Sequence, residues 1–391
     1  MEISQILVIM INKIQGRKMN RKELLKGVKR VVIKVGTSTL TTQEGKLNEE
    51  KIKLIVKSVS ELAEKGLDVV LVTSGAVGAG MGELNLNERP KSLSEKQALA
   101  SVGQVALMHL YRLLFWAYSK TIAQLLLTRG DFSDRNRYIS ARNVCNALLA
   151  KKIIPIINEN DPVVNDELKV GDNDTLSALV AGLIDAELVI ILSDIDGLYD
   201  KNPSKFKDAK FINLVENIDE NVLKAAGGEG SKFGTGGMRT KITAAQMATK
   251  IGSNLIIASG ADPRNIVKII EGERIGTLFL KSGKKISSRK YWLGYGTSKK
   301  GVLFIDEGAL NALKNGKSLL SVGIKSVSGK FERGDVVEVR NAQNELVAKG
   351  ISNYASDELA RIAGQKSEDI ERILGHRYDE SAVHIDNMIL I

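Results

Sequence analysis

Val69-Val70-Leu71-Val72-Thr73-Ser74-Gly75-Ala76-Val77-Gly78 is the stretch that decides the fold. Its first five residues are apolar or β-branched without a polar alternation, which marks a strand buried on both faces rather than one half open to water. The strand runs directly into a glycine-rich turn. Upstream, residues 48–65 place Ile52, Ile55, Val56, Val59 and Leu62 on one helical face. Gly66 stops that helix. Before the helix, Val31–Val35 forms another β-branched run that ends in Gly36-Thr37-Ser38. Strand, helix and strand in this order build a parallel unit, because the helix carries the chain back across the sheet.

The alternation continues downstream. The pattern predicts helices over 94–115, 138–150, 174–184 and 239–251, with strands near 121–127, 153–158, 188–192 and 254–258. The fold class is therefore α/β, an open, mainly parallel sheet sandwiched by helices, as far as residue 280. Beyond a lysine-rich segment the texture changes. Short runs at Val302–Ile305, Leu319–Val322, Val336–Val339 and Leu346–Ala348 are punctuated by Gly316, Gly329, Gly334 and Gly350. They read as a small β-rich barrel or sandwich of about 80 residues. The expected organisation is an N-terminal extension over 1–27, a catalytic domain over 28–280, a basic linker over 281–298, a small barrel over 299–380 and a tail over 381–391. The extension reads either as a non-native or weakly ordered segment or as an amphipathic element that docks on the domain or on another subunit.

Composition excludes several classes. The 391 residues hold 43% hydrophobic and 26% charged side chains, ordinary globular values. The apolar run Ile6–Ile11 is far shorter than the roughly 20 residues a bilayer span needs, so no membrane association is expected. One cysteine, Cys145, leaves no internal disulfide and no cysteine set for zinc or iron–sulfur, and a cytoplasmic location is expected. The net charge of +10 invites nucleic acid as a partner, but it is unevenly placed. Residues 1–30 carry eight basic and two acidic side chains, and residues 281–298 carry five basic and no acidic ones. The two large foldable stretches between and beyond them are close to neutral.

In an open parallel sheet, ligands bind past the carboxyl ends of the strands, at helix N-termini. The chemically informative residues fall there. Lys34-Val35-Gly36-Thr37-Ser38 offers a cation, hydroxyls and close backbone approach. Ser74–Gly80 offers amides and a hydroxyl for an anionic group, or serves only as a tight turn. Asn158-Glu159-Asn160-Asp161 and Asp172-Asn173-Asp174 follow a buried strand and precede a helix. Such carboxylates can bind an ammonium group, orient lysines or hold Mg²⁺ at one remove, and Asp172 or Asp174 can simply cap the helix. Ser193-Asp194 ends another strand, and Gly234-Thr235-Gly236-Gly237-Met238-Arg239-Thr240-Lys241 opens a helix in the manner of a phosphate-binding loop. His109 reads as a core or boundary residue of an apolar helix, and His376 and His384 sit far along the chain. No histidine stands beside a Ser or Cys, which argues against triad hydrolysis. Two lysines at phosphate-type loops with acids between them suit phosphoryl transfer by positioning and charge neutralisation.

Taken in order, Val-Ile-Lys-Val-Gly-Thr-Ser, Val-Thr-Ser-Gly-Ala-Val, Asn-Glu-Asn-Asp-Pro, Gly-Asp-Asn-Asp, Leu-Ser-Asp-Ile-Asp-Gly-Leu-Tyr and Gly-Thr-Gly-Gly-Met-Arg-Thr-Lys resemble the amino acid kinase family, and within it the members that phosphorylate glutamate. The 299–380 region resembles a PUA domain. The resemblance implies ATP-dependent phosphorylation of the γ-carboxylate of L-glutamate to L-glutamyl 5-phosphate, the first step of proline biosynthesis. Lys34, Asp174 and Lys241 would be catalytic, with the lysines neutralising the moving phosphoryl group and Asp174 orienting them. Ser74, Asp161 and Asn173 would bind glutamate, Asp161 facing its α-ammonium. ATP would lie on Lys34, Ser193, Asp194, Thr235, Gly236, Gly237, Met238, Arg239, Thr240 and Lys241. The family pattern also implies Mg²⁺ without a dedicated protein metal site, proline as a feedback inhibitor, and a homo-oligomer, dimer or tetramer. Nothing in the sequence shows that the PUA-like part binds RNA, and its ligand stays open. Two other readings stand beside it: a kinase of the same fold acting on acetylglutamate, aspartate or carbamate, and an RNA-binding or regulatory protein built on a decayed kinase domain.

Overall fold

Successive residues of the central strands point to opposite sides and are all buried. Val31, Ile33 and Val35 join one apolar cluster, while Val32 joins another across the sheet. Leu188, Ile190 and Leu192 divide from Val189 and Ile191 in the same way. This is the outcome expected of strands without polar alternation, and it puts helices on both faces. The protein is described from a computed structural model, covering residues 20–42, 46–86, 88, 90–164, 170, 172–203, 205–225, 237–282 and 300–391.

The large sheet comprises β1 (Arg30–Val35), β2 (Asp68–Val72), β3 (Ile122–Leu127), β4 (Ile154–Glu159), β5 (Leu188–Ser193), β8 (Leu214–Val215), β9 (Asn254–Ser259) and β10 (Thr277–Phe279). A separate ribbon pairs β6 (Leu198–Tyr199) with β7 (Phe211–Ile212). The spatial order of the large sheet is β3-β4-β2-β1-β5-β9-β10-β8. Every neighbouring pair is parallel except β9 with β10. The chain leaves β1 toward β2 on one side and later returns through β5 on the other. The carboxyl end of β1, where the strand order reverses, is therefore the crevice of the fold.

One face is covered by the helices Glu49–Glu64, Leu93–Trp116 and Asn265–Ile270, the other by Arg135–Ala150, Asn173–Ile184 and Met238–Ile251. The helix Leu93–Trp116 is long and apolar enough to cross a membrane, yet Leu107, Tyr111 and Phe115 pack into the core. His109, expected as a core or boundary residue, is exposed, because it lies two positions from Leu107 and hence on the helix's outer side. The short strands β6, β7, β8 and β10 were not apparent in the sequence, being two or three residues long.

The glycine run after β2 is largely helical. Only Gly75 is a turn, with φ of 91°, and the helix Ala76–Glu83 begins at once. Its glycines serve packing. A Cβ on Gly103 would lie 1.8 Å from the Ala76 carbonyl oxygen and 2.3 Å from the Gly80 nitrogen. A Cβ on Gly80 would lie 2.0 Å from the Leu99 carbonyl oxygen. The two helices thus touch backbone to backbone, which fixes the start of the first one beside Ser74. Gly103→Ala gains helix propensity worth about 1 kcal/mol but overpacks by about 1–3 kcal/mol against backbone that cannot rotate aside. A lower Tm together with a raised KM for the acceptor substrate is the expected result.

The C-terminal domain orders β11 (Gly301–Ile305), β12 (Ile324–Gly329), β13 (Val336–Arg340), β14 (Leu346–Ile351) and β15 (Met388–Leu390) as β12-β11-β13-β14-β15. It has its own apolar cluster, which includes Leu303, Phe331, Val339 and Tyr354. Leu319–Val322 does not form the expected strand: Leu319 makes one bridge to Val383, Leu320 and Val322 are exposed, and the strand begins at Ile324. β15 comes from the segment set apart as a tail. Residues 283–298, most of the expected basic linker, and residues 1–19 of the expected extension lie outside the described residues.

Candidate active site

Three charges meet in the crevice. Asp174, fully buried in the first turn of the helix Asn173–Ile184, receives Lys34 Nζ on Oδ1 at 2.6 Å and Lys241 Nζ on Oδ2 at 3.1 Å. Thr240 Oγ1 lies 3.1 Å from Oδ2, its single proton shared between that oxygen and the Gly237 carbonyl. Lys34 comes from β1 and is flanked by β2 and β5, whereas Lys241 comes from the helix Met238–Ile251 on the far side of the crevice. A Cβ on Gly36 would stand 3.3 Å from Lys34 Nζ, so the absence of a side chain there leaves room for the ammonium to turn toward Asp174.

Burial alone would raise the Asp174 carboxyl. The two ammonium groups outweigh it and hold the group below its ordinary value, so it is ionised at neutral pH. The cluster carries two positive charges and one negative, a net positive centre facing the crevice. The helix is capped by Asp172, which accepts from the Thr175 amide at 2.8 Å, and not by Asp174. Burial holds Asp172 above the usual carboxylate range, with the bonds from Thr175 opposing the shift.

Beside this centre lies an amide network. The two hydrogens of Asn173 Nδ2 are shared among three acceptors, the Thr73 carbonyl at 2.6 Å, Ser74 Oγ at 2.7 Å and Asn158 Oδ1 at 3.1 Å. Asn158 Nδ2 in turn donates to Gln104 Oε1 at 2.9 Å. With its amide nitrogen committed to protein acceptors, Asn173 has its carbonyl oxygen oriented the other way. Thr73 Oγ1 and the Tyr111 hydroxyl are 2.9 Å apart beneath the turn. Asp161 opens a short 3₁₀ turn after β4 and is half-buried. Of the residues behind Asn173, Asn158 was noted from sequence only as part of a polar strand end and Gln104 was not singled out at all. The available signal was a pair of glutamines, Gln97 and Gln104, seven positions apart on the inner face of an apolar helix.

On the other side of β1, Ser193 is buried at the end of β5 and donates to Asp194 Oδ1 at 2.8 Å, while Asp194 is exposed. Gly237 caps the helix Met238–Ile251 without a side-chain bond, and its carbonyl accepts from Thr240 Oγ1 at 2.8 Å. That leaves amides at a positive helix end. Met238 packs against the core and Arg239 is exposed. Thr235 and Gly236 lie outside the described residues. The structure thus brings Lys34, Asp174, Thr240 and Lys241 into one cluster, Ser74 and Asn173 into a second, and Ser193 and Asp194 into a third. Cys145 takes no part: burial pushes its thiol up to about 11, so it is an inert packed group.

A parallel sheet with its switch point at β1, two buried lysines clamped on one aspartate, and an open helix N-terminus across the crevice define a phosphotransferase-type site. The chain belongs to the amino acid kinase family, which matches residues 29–259. A PUA domain matches residues 301–374. The chain is 50% identical over 363 residues to the Glutamate 5-kinase of Caldanaerobacter subterraneus subsp. tengcongensis, covering 93% of this chain and 98% of that protein. It is 46% identical over 368 residues to the Glutamate 5-kinase of Moorella thermoacetica, covering 94% and 97%. With the Glutamate 5-kinase of Geobacter sp. the identity is 45% over 372 residues, covering 95% and 100%.

Proposed function

We infer that this protein transfers the γ-phosphoryl group of ATP to the γ-carboxylate of L-glutamate, giving L-glutamyl 5-phosphate and ADP, the first step of proline biosynthesis. The single observation that carries the chemistry is Asp174 held between Lys34 and Lys241, both nearly buried. A glutamate carboxylate oxygen attacks the γ-phosphorus while the bond to the ADP oxygen breaks. The nucleophile is already ionised, so no general base is needed. Charge builds on the phosphoryl oxygens, and Lys34 and Lys241 meet it from opposite walls, fixed in place before the reaction by their shared aspartate.

Ser74, Asn173 and Asp161 would hold glutamate on the β2–β4 side, with Asp161 facing the α-ammonium. Ser193, Asp194 and the helix start from Gly237 through Met238, Arg239, Thr240 and Lys241 would hold ATP on the β5 side, with Thr235 and Gly236 completing the loop. Among the described residues no three His, Cys, Asp or Glu side chains converge as a metal cluster, and the Asp174 oxygens are taken by lysines. This donor set fits a Mg²⁺ ion held chiefly by the nucleotide phosphates, which needs only one or two protein carboxylates. Asp194, exposed at the end of β5, would be one such carboxylate. When bound, the ion would neutralise phosphate charge. Proline, which shares the α-amino acid group of glutamate, is proposed to inhibit at or near the glutamate site.

A cytoplasmic homo-oligomer is proposed as well. Val105 and Trp116, 72% and 79% exposed, stand on the outer face of the helix Leu93–Trp116, beside a groove of about 780 Å³ that runs to edge strand β3. Such an exposed apolar face suits contact with a second copy.

ADP release measured with glutamate, aspartate, acetylglutamate or no acceptor separates the readings. Turnover that depends on glutamate is expected; ADP formation indifferent to it would defeat the proposal. For Asp161→Ala the glutamate KM is expected to rise by roughly 10-fold or more, the loss of one charge-assisted contact, while the ATP KM stays put. The reverse pattern would move Asp161 to the nucleotide side.

A further inference from the structure

Arg21 lies in the segment read from sequence as an extension, yet it is 5% exposed. Its guanidinium threads into the far edge of the catalytic sheet. Nη1 donates to the carbonyls of Ile275 at 2.6 Å and Glu273 at 3.4 Å, and Nη2 to those of Gly276 at 2.9 Å and Asn213 at 3.1 Å. Among the described residues all its hydrogen-bond partners are backbone carbonyls. A buried cation held without a carboxylate is costly, and burial lowers the guanidinium to about 10, still protonated at neutral pH. Four converging carbonyls are what offsets that cost, and a planar fork is the group that can serve them together.

The surrounding backbone fits this one side chain closely. A Cβ on Gly272, whose φ is 94°, would come within 2.6 Å of the Lys22 Cα, so the turn before β10 lies directly on the helix Arg21–Leu24. The turn leads to Thr277. The Thr277 hydroxyl donates to the Ile212 carbonyl at 2.6 Å and accepts from the Leu198 amide at 2.8 Å. Leu198 is four residues past Asp194, and the Gly197 between them is closed in by Thr277 and Phe211. Asn213, whose carbonyl Arg21 holds, also accepts from the Leu278 amide at 3.0 Å. An unbroken set of contacts therefore runs from Arg21 through the 272–277 turn to the backbone that leaves Ser193 and Asp194.

We propose that Arg21 is a positioning residue for the nucleotide: it anchors the 272–277 turn, and through Thr277 the turn fixes the segment on which Ser193 and Asp194 meet ATP. The assignment rests on the ATP-side role given to Ser193 and Asp194 above. It predicts an asymmetric effect, because the glutamate residues lie on the other side of β1.

The test compares Arg21→Lys, Thr277→Val and Ser193→Ala in the full-length chain, with KM for ATP, KM for glutamate, kcat and amide hydrogen exchange at residues 197–199 and 211–215. Arg21→Lys keeps the charge but not the fork, and Thr277→Val removes the bridge without touching Arg21. Both are expected to raise the ATP KM by roughly 5- to 10-fold, the loss of one or two hydrogen bonds. The glutamate KM should stay within about twofold, a change below 0.5 kcal/mol, and exchange in both segments should be faster. If Ser193→Ala raises the ATP KM while neither of the other two does, the ATP assignment stands and the proposal falls. If Ser193→Ala also leaves the ATP KM unchanged, the assignment itself fails. A lower Tm with both KM values shifted in parallel would reduce Arg21 to a structural brace and overturn the positioning role. Should Arg21→Lys fail to fold, Thr277→Val decides.

Discussion

Lys241→Ala is expected to lower kcat by about 10²–10³-fold, with a smaller rise in the ATP KM and little change in the glutamate KM, because one fixed charge facing the developing transition-state charge is worth about 3–4 kcal/mol. The fold should survive. Asp174 keeps Lys34 at 2.6 Å and the Thr240 hydroxyl at 3.1 Å, so the buried carboxylate is not left bare. Steady-state kinetics with saturating glutamate and ATP, together with a thermal melt, check both halves. Near-normal kcat would remove Lys241 from the mechanism. A lost kcat accompanied by a collapsed melt would mean that the lysine's main duty is to neutralise Asp174.

Asp174→Ala should behave differently. It leaves two ammonium groups facing one another, 7% and 4% exposed, with their shared counter-charge gone. Breaking a buried ion pair on one side costs about 3–5 kcal/mol, so a marked drop in Tm is expected along with loss of turnover. Asp174→Asn retains volume and the bond to Thr240 but not the charge. It is expected to recover packing while leaving turnover low. Equal stability for Asp174→Ala and the parent chain would show that the lysines do not depend on the carboxylate. The sign of the pH effect follows from the direction of the shift. Asp174 is held below its ordinary 3.8 in the folded protein, so its contribution is full at neutral pH and is lost only as acid drives the group through that lower value. Denaturation below about pH 4 should therefore be steeper in the parent than in Asp174→Asn.

Long apolar runs made most of the catalytic sheet legible. β1, β2, β4, β5 and β9 are each five or six residues of mainly apolar character, and the helix Glu49–Glu64 shows its buried stripe openly. β6, β7, β8 and β10 are too short to carry periodicity, and tertiary hydrogen bonds such as those of Thr277 define them. The glycine run after Gly75 misled because glycine disfavours helices in isolation. At Gly80 and Gly103 close helix contact overrides that propensity. Leu319–Val322 failed as a strand for a related reason: hydrophobicity alone does not say whether a neighbour will pair with the backbone.

The site divides along the same line. The sequence by itself placed Lys34, Asp174 and Lys241 at strand ends and helix starts, a pattern that suits phosphoryl transfer, and the family resemblance supplied their roles. The resemblance already implied that Asp174 orients both lysines; only the tertiary structure gave that contact its distances, 2.6 and 3.1 Å, and decided that Asp172 and not Asp174 caps the helix and that Asn158 and Gln104 stand behind Asn173. It also drew Arg21 out of a basic, unpromising segment into the edge of the sheet. The Asp172 cap is a local bond to Thr175 that either acid could have made, whereas the others depend on distances between residues fifteen to more than 250 positions apart. Local propensity and spacing hold no record of such distances, and the closing of the sheet sets them.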